Sequence, residues 1–382
     1  MKPVPHTDRN KLYLNVFDFF AKERLFLIVV LAGLLLAEVM VGFGESAMWL
    51  GFFFAAYAAV ANDSIQSIGT FIESNKDKKW WVLWLFIGGI FIAVVSFSWF
   101  YFEGDVTYQR LGTDATTKYP HPSASEDPED RMFSYFQLIA PLILLILTRL
   151  RMPVSTTFLL LSVFSADSSG ITSVVFKSLS GYAMAFVISF VIWYGMYNTI
   201  RRYFKKRKMN PAWTAVQWTI SGTLWAVWVM QDGANIAVYL PREQTGFQFI
   251  IFAATIFFGL GLLFYLRGDK IQRIVSEKAR ISDIRAATLV DFTYVLLLIY
   301  KLFISTVPLS TTWVFLGIIG GREIAVSVSR KKKGKKHKQK AGRMIFRDFG
   351  FAMIGLVVSI ILATGANPTL RGEIANFFSN LF

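Results

Sequence analysis

Long apolar runs separated by short polar stretches dominate the chain, and each run is long enough to cross a bilayer as a helix. The polar residues before the first run, and the lack of a small-residue cleavage pattern after it, predict a retained helix rather than a cleaved signal. The predicted membrane segments are 25–43, 48–71, 80–102, 132–150, 153–171, 174–200, 212–230, 246–266, 288–305, 308–328 and 346–363.

The loops between these runs predict the orientation of the chain. Lys and Arg are densest in 201–208, 267–285 and 330–343, which we expect on the cytoplasmic side, whereas the acidic loop 103–131 is expected outside. These assignments agree if the N-terminus is inside, every run crosses once and the C-terminus is outside. A re-entrant 153–171 would place the basic 201–208 loop on the wrong side.

Composition supports a membrane protein. Hydrophobic residues make up 54% of the chain and the mean hydropathy is +0.47, values too apolar for a soluble globular protein. The net charge of +15 lies mainly in loops, so membrane topology explains it better than nucleic-acid binding. No cysteine is present, which excludes disulfides, thiol catalysis and thiolate metal sites. We expect a multi-pass protein of the cell membrane.

Two polar motifs occur twice in the same order. Val-Ala-Asn-Asp at 60–63 is followed by Pro-Val-Ser-Thr-Thr at 153–157, and Gly-Ala-Asn at 233–235 is followed by Pro-Leu-Ser-Thr-Thr at 308–312. Because the first unit starts outside and the second inside, the motifs predict inverted repeats with a binding site between them.

The predicted fold is therefore an all-α integral membrane protein with about eleven membrane segments. It consists of two inverted five-segment repeats after an extra N-terminal helix, with broken helices at mid-membrane. The expected divisions are an N-terminal segment with the first helix, the first repeat, a basic cytoplasmic linker and the second repeat, at 1–47, 48–200, 201–211 and 212–382.

The first motif of each repeat is a candidate cation site. An ionised Asp63 near the bilayer centre costs about 2.5–3.5 kcal/mol, so it needs a partner, which a bound cation would provide. A polar helix kink satisfied by neighbouring helices is the alternative. The cation-coupling candidates are Asn62, Asp63, Gln66, Thr70, Asp232 and Asn235, with Asp63, Asn62 and Asn235 as sodium ligands.

The second motif of each repeat is a candidate anion site. Proline suits the first turn of a helix, hydroxyl side chains can cap that turn, and free backbone N–H groups at a helix start favour an oxyanion. One isolated copy would more simply be a capped helix start, but two copies in matched positions favour the anion site. The anion-binding candidates are Ser155, Thr156, Thr157, Ser310, Thr311 and Thr312.

Other titratable residues are less informative. The histidines are expected in loops, which leaves none for a proton relay or metal site in the membrane, and the basic run 330–343 is interpreted as a topology anchor. Three further carboxylates in apolar runs are either coupling residues or are buried against another helix. These groups are His6, His121 and His337, and Glu38, Asp167 and Asp291.

Residues 61–70, Ala-Asn-Asp-Ser-Ile-Gln-Ser-Ile-Gly-Thr, together with the two Pro-x-Ser-Thr-Thr elements, resemble the inorganic phosphate transporter (Pit) family. The resemblance spans most of the chain from about Met48. It implies symport of phosphate, or of sulfate in one branch, with the motif Asp and Asn residues serving sodium or protons and the Ser-Thr-Thr elements holding the anion.

The chain departs from the family pattern at several positions. Gln66 replaces the second Asn of the first motif. In the second motif no Asp follows Asn235, although Asp232 could substitute from one turn away. Phe158 and Trp313 stand where the family has histidine after Ser-Thr-Thr.

The expected function is symport of inorganic phosphate with sodium or protons, without catalysis and without a cofactor other than the coupling ion. Expected partners are the lipid bilayer and phosphate or another tetrahedral oxyanion, with no nucleic acid; a homodimer is left open. The alternatives are a permease for sulfate or another oxyanion, and a non-transporting receptor or scaffold. A hydrolase with Asp167 as the base for Ser155 or Ser310 is a weaker third option.

Overall fold

The computed structural model describes residues 23–112, 119–122, 132–150, 152, 154–206, 210–266, 283–304, 310–329 and 334–379, apart from the side chains of 64–66, 198–206, 304, 334–338, 340 and 377–378. Over these residues the regular structure is helical, without strands. The α-helices are α1 Arg24–Met40, α2 Gly44–Ser74, α3 Trp80–Tyr101, α4 Tyr135–Arg149, α5 Ser168–Lys206, α6 Ala212–Ala237, α7 Gly246–Tyr265, α8 Ile284–Ile304, α9 Thr311–Ser329, α10 Gly334–Ala366 and α11 Pro368–Ser379.

Seven of the described helices are long and apolar enough to cross a membrane, as expected for a membrane-embedded protein. They are the whole of α3, α7 and α9 and parts of four other helices, Gly44–Asp63 of α2, Ser168–Tyr197 of α5, Ile284–Phe303 of α8 and Ala341–Ala366 of α10. The shorter α4 is also apolar. The all-helical fold class is confirmed, and the prediction of eleven crossings stays a prediction.

The predicted helix 153–171 is wrong as a single element. Residues Thr157–Leu161 form a π-helical turn and Ser162–Phe164 a 3₁₀ turn, and Ser165 is extended. The next helix starts at Ser168, where the Asp167 carboxylate accepts two backbone N–H groups. Polar residues at the end of the run thus stop one helix and cap another.

Two predicted basic loops are partly helical. Helix α5 continues through the first residues of the linker to Lys206, and α10 begins at Gly334, so that His337 lies in a helix and not in a loop. Lys and Arg are good helix formers, so a helix can extend past its apolar run into a basic stretch. The basic residues 267–282, and His6, lie outside the described residues.

Small residues bring α9 against α5. A Cβ atom added at Gly317 would lie 2.5 Å from the Tyr182 carbonyl oxygen, and one at Gly321 would lie 2.2 Å from the Phe186 carbonyl oxygen. Glycines four residues apart on one helix face allow two backbones to approach closely, which is a common basis of helix packing in membranes. This contact fixes the position of the second Ser-Thr-Thr element, at the start of α9.

Hydrogen bonds also join the two helices that carry the Asn-containing motifs. At the end of α2 the Asn75 amide donates to Gln217 Oε1 on α6 at 2.9 Å, and Trp218 Nε1 donates to Asn75 Oδ1 at 3.1 Å. These side chains are buried or half-buried, so the contact is protected from water. Helices α2 and α6 are thereby held side by side.

Candidate functional site

The first Asn-Asp motif meets the first Ser-Thr-Thr element. Asn62 and Asp63 lie on α2 and are only 3% and 2% exposed. The Asn62 amide donates to Asp63 Oδ1 at 2.7 Å and to Thr156 Oγ1 at 3.1 Å, and the Thr156 hydroxyl donates to Asp63 Oδ1 at 2.6 Å. The Asn62 amide also reaches the Val154 carbonyl oxygen at 3.2 Å. Residues about 90 positions apart therefore form one buried polar cluster.

The second motif lies at the same place. On α6 the Asn235 amide donates to Asp232 Oδ1 and to Thr157 Oγ1, both at 3.1 Å, and the Thr157 hydroxyl faces Asp232 Oδ1 at 3.4 Å. The Thr311 hydroxyl lies near the same carboxylate. The charges of Asp63 and Asp232 are close enough to act on each other, so both Asn-containing motifs contribute a carboxylate to one centre.

The two Ser-Thr-Thr elements begin in the same way. Ser155 Oγ accepts the Phe158 backbone N–H at 3.1 Å, and Ser310 Oγ accepts the Trp313 backbone N–H at 3.3 Å. Both serines therefore cap a helical start, as the sequence predicts. Each serine oxygen accepts a backbone N–H in this role, whereas the Thr156 and Thr157 hydroxyls face the carboxylates.

Among the described residues, two buried oxygen atoms of this centre have no hydrogen-bond partner: Asp232 Oδ2 and Asn235 Oδ1. Although Thr311 lies nearby, it does not reach Asp232 Oδ2 with hydrogen-bond geometry. Buried acceptors are nearly always satisfied, so an orphaned pair marks a place where another group belongs. Carboxylate and amide oxygens suit a hard cation or a hydrogen-bond donor.

Thr70 is not part of this centre. Its hydroxyl donates to Asp291 Oδ1 at 2.5 Å, and the Ser221 hydroxyl donates to Asp291 Oδ2 at 2.6 Å. Thr70, predicted as a cation-coupling residue, therefore lies at Asp291 and not beside Asp63, because one face of α2 extends past the centre to a second carboxylate. Thr312 Oγ1 faces the Val154 carbonyl oxygen at 3.4 Å. The Gln66 side chain lies outside the described side chains.

The three remaining carboxylates in apolar runs have different surroundings. Asp291 is 1% exposed and bound by two hydroxyls, whereas Glu38 lies on the exposed surface of α1. Asp167 caps α5 by accepting the Ser169 N–H at 2.8 Å and the Gly170 N–H at 3.2 Å. Sequence reasoning identified Asp291 as a candidate but not its partner Ser221, for which the sequence carries no local signal.

His121 is a buried titratable group outside the membrane-spanning helices. Its Nε2 lies 2.9 Å from the Tyr239 carbonyl oxygen. Burial, together with the nearby Arg242 charge, lowers the pKa of His121 to about 4, although the Tyr239 carbonyl opposes this shift. The imidazole is therefore neutral at pH 7 and holds its contact as an N–H donor.

Acidification is expected to destabilise the protein at His121. Because the unfolded chain binds a proton near pH 6.5 and the folded chain only near pH 4, stability falls as the pH decreases through this window. Between pH 7 and pH 5 this one group should lower the free energy of unfolding by about 2 kcal/mol. Unfolding temperatures in detergent at both pH values should show a smaller drop for His121→Gln, which keeps an N–H donor. An equal drop in both proteins would contradict the assignment.

The fold and the site define a class of protein: this is an all-helical, membrane-embedded protein whose repeated motifs meet in a buried polar centre. No family model matches the chain, and no curated protein or solved structure resembles it significantly. The function must therefore be argued from the residues of the centre.

Proposed function

We propose that the chain is an ion-coupled symporter that carries inorganic phosphate together with sodium across the cell membrane. One observation carries the proposal: Asp63 and Asp232, one from each Asn-containing motif, lie in one buried centre with threonines of both Ser-Thr-Thr elements. Charged groups inside membrane segments are costly and usually serve transport.

The proposed architecture is two inverted five-segment repeats after an extra N-terminal helix. The matched caps of Ser155 and Ser310 support a duplicated origin. The positions of the threonines further support it, because Thr156 donates to Asp63 and Thr311 lies near Asp232. Thr157 of the first element also faces Asp232, so the two elements meet at this carboxylate. Binding between two inverted repeats is the usual arrangement in secondary transporters.

The cation is proposed to bind at the orphaned oxygens. Asp232 Oδ2 and Asn235 Oδ1 would be two of its ligands, and the neighbouring Asp63 carboxylate would add negative charge. A sodium ion here would offset the repulsion between the two buried carboxylates. A proton on one carboxylate would do the same, so proton coupling is the alternative within this proposal.

The anion is proposed to bind through the threonine hydroxyls after the cation has bound. In the described state Thr156 and Thr157 face Asp63 and Asp232 and are not free to bind an anion. A cation that neutralises the carboxylates would release these donors, and the helix starts would add backbone N–H groups. The two charges then enter the membrane together, which is the physical basis of coupling.

The choice of phosphate comes from the family that the motifs resemble, and sulfate is the competing oxyanion. The test is uptake of labelled phosphate into proteoliposomes with and without an inward sodium gradient, with unlabelled sulfate as competitor. With the inward sodium gradient, we expect phosphate uptake into proteoliposomes to be at least tenfold faster than into protein-free liposomes under the same gradient. Complete inhibition by sulfate would reassign the substrate, and no uptake under any sodium or proton gradient would contradict the proposal.

A further inference from the structure

Residues 103–112 connect α3 to the rest of the predicted outer loop. They form a segment held by internal hydrogen bonds, which we call the cap. The Asp105 carboxylate accepts the Thr107 backbone N–H at 2.7 Å, the Thr107 hydroxyl at 2.6 Å and the Gln109 backbone N–H at 2.5 Å. Tyr108 and Gln109 adopt positive φ angles of 55° and 56°, a conformation that needs such local support. The cap is thus held in one conformation.

The cap is docked onto the link between α6 and α7. The Gln244 backbone N–H donates to the Gly104 carbonyl oxygen at 2.9 Å, and Trp99 Nε1 donates to the Gln244 carbonyl oxygen at 2.8 Å. Gly104 has φ +106°, and a Cβ atom there would lie 3.1 Å from the Gln244 backbone. Glycine is therefore required at this close approach. The cap connects the first repeat to the second.

Arg110 extends from the cap into the bundle. It is only 9% exposed, and its Nε donates to the Met230 carbonyl oxygen on α6 at 2.8 Å. Met230 precedes Asp232 by two residues, and the charge of Arg110 acts on the Asp232 carboxylate. A cation carried by the protein thus lies close enough to a carboxylate of the proposed transport centre to act on it electrostatically.

We propose that Arg110 is a tethered counter-ion of Asp232 and that the cap is a gate, which opens when a transported cation takes over the carboxylate. The gating half of this inference rests on the proposed function, whereas the Arg110–Asp232 interaction does not. A cation bound beside Asp232 would repel the guanidinium and replace the attraction that favours its burial there. Loss of the Arg110 interaction weakens the docking of the cap, and the centre opens on the side of the 103–131 loop.

A purely structural anchor is the alternative role for Arg110. In that case the bond to the Met230 carbonyl oxygen holds the cap, and the charge of Asp232 is irrelevant. The two roles differ in what Asp232→Asn does: it releases the cap if Arg110 is a counter-ion and has no effect on the cap if Arg110 is only an anchor. Arg110→Lys separates them again, because it keeps the charge and loses the Nε donor.

The chain has no cysteine, so one introduced thiol can report on the cap without background labelling. Val106 lies on the cap, is 1% exposed and is close to cysteine in size. The experiment measures how fast a membrane-impermeant thiol reagent modifies Val106→Cys in proteoliposomes free of sodium, with the reagent added to each side in turn. Ser169→Cys, exposed at the start of α5, provides the labelling rate of an exposed thiol for comparison, and elution profiles in detergent check that every variant is folded.

In the Val106→Cys background we expect Arg110→Gln and Asp232→Asn each to raise the labelling rate at least tenfold. The double variant should be no faster than either single variant, because both remove the same interaction. Arg110→Lys should stay within about threefold of the parent if the charge dominates. An unchanged rate in Asp232→Asn, multiplied effects in the double variant, or an Arg110→Lys rate equal to that of Arg110→Gln would overturn the counter-ion role.

The sodium dependence of labelling tests the gate. Sodium should raise the labelling rate of Val106→Cys when Arg110 is present. It should leave the already fast rate of the Arg110→Gln variant unchanged. If neither sodium nor potassium changes the labelling rate of the protein that retains Arg110, the gate is overturned. These rates require no transport, so the failure of phosphate uptake and the failure of this inference are separate results. Phosphate uptake without the Arg110–Asp232 interaction would contradict only this inference. The interaction without phosphate uptake would contradict only the proposed function.

Discussion

Sodium-stimulated uptake is expected to disappear in Asp63→Asn, with a fall on the order of 100-fold in the initial rate. The asparagine can still accept the Thr156 hydroxyl, so the local hydrogen bond and the fold are preserved. It removes a negative charge from the centre shared with Asp232, and with it the attraction for a cation. The measurement is phosphate uptake into proteoliposomes with and without a sodium gradient, at matched protein content.

Glu38→Gln is the matched control for this substitution. It removes a carboxylate from another predicted membrane segment, but one that lies on the exposed surface of α1. Uptake by the control should stay within about twofold of the parent, as is usual for changes away from a site. If Asp63→Asn keeps its response to sodium, or if the two variants lose it equally, Asp63 is not the coupling residue.

The largest effect on stability is expected from Gly321→Ala. The added methyl carbon would lie 2.2 Å from the Phe186 carbonyl oxygen, a separation that two packed backbones cannot accept without moving apart. Overpacking of this kind costs about 1–3 kcal/mol, and here it also displaces the helix that begins with Ser310 and Thr311. The unfolding temperature in detergent should fall clearly.

Gly350→Ala is the comparison for this prediction. Gly350 lies inside α10, and a Cβ atom there would meet nothing within 4 Å. Alanine is the better helix former, so the unfolding temperature should stay the same or rise slightly. Equal unfolding temperatures for Gly321→Ala and the unsubstituted protein would contradict the close approach of α5 and α9 at this position.

Much of the helical architecture could be predicted from continuous apolar runs. The runs predicted at 80–102 and 246–266 match α3 and α7 to within one residue at each end. These helices are apolar along their whole length and bounded by polar loops, so no tertiary contact was needed to place them. The prediction of one helix over 153–171 was wrong because serines of this run and Asp167 make local hydrogen bonds that compete with a continuous helix.

The candidate site was predicted in part. Asp63, Thr156, Asp232 and Asn235 do meet, and repetition of the motifs was the signal that identified them. Arg110 was missed because a single arginine in a loop resembles any other topology charge. Its role depends on contacts with a residue 120 positions away, which no local pattern records.

The sequence alone determined that the chain is apolar enough for a bilayer and where helices such as α3 and α7 begin and end. It also identified polar residues whose burial in a membrane is too costly to be incidental. Tertiary structure alone decided which hydroxyl meets which carboxylate. Thr70 and Asp63 lie on the same helix, yet Thr70 binds Asp291 and Asp63 binds Thr156. Hydrogen bonds act over about 3 Å, and only the packing of whole helices brings distant residues within that distance.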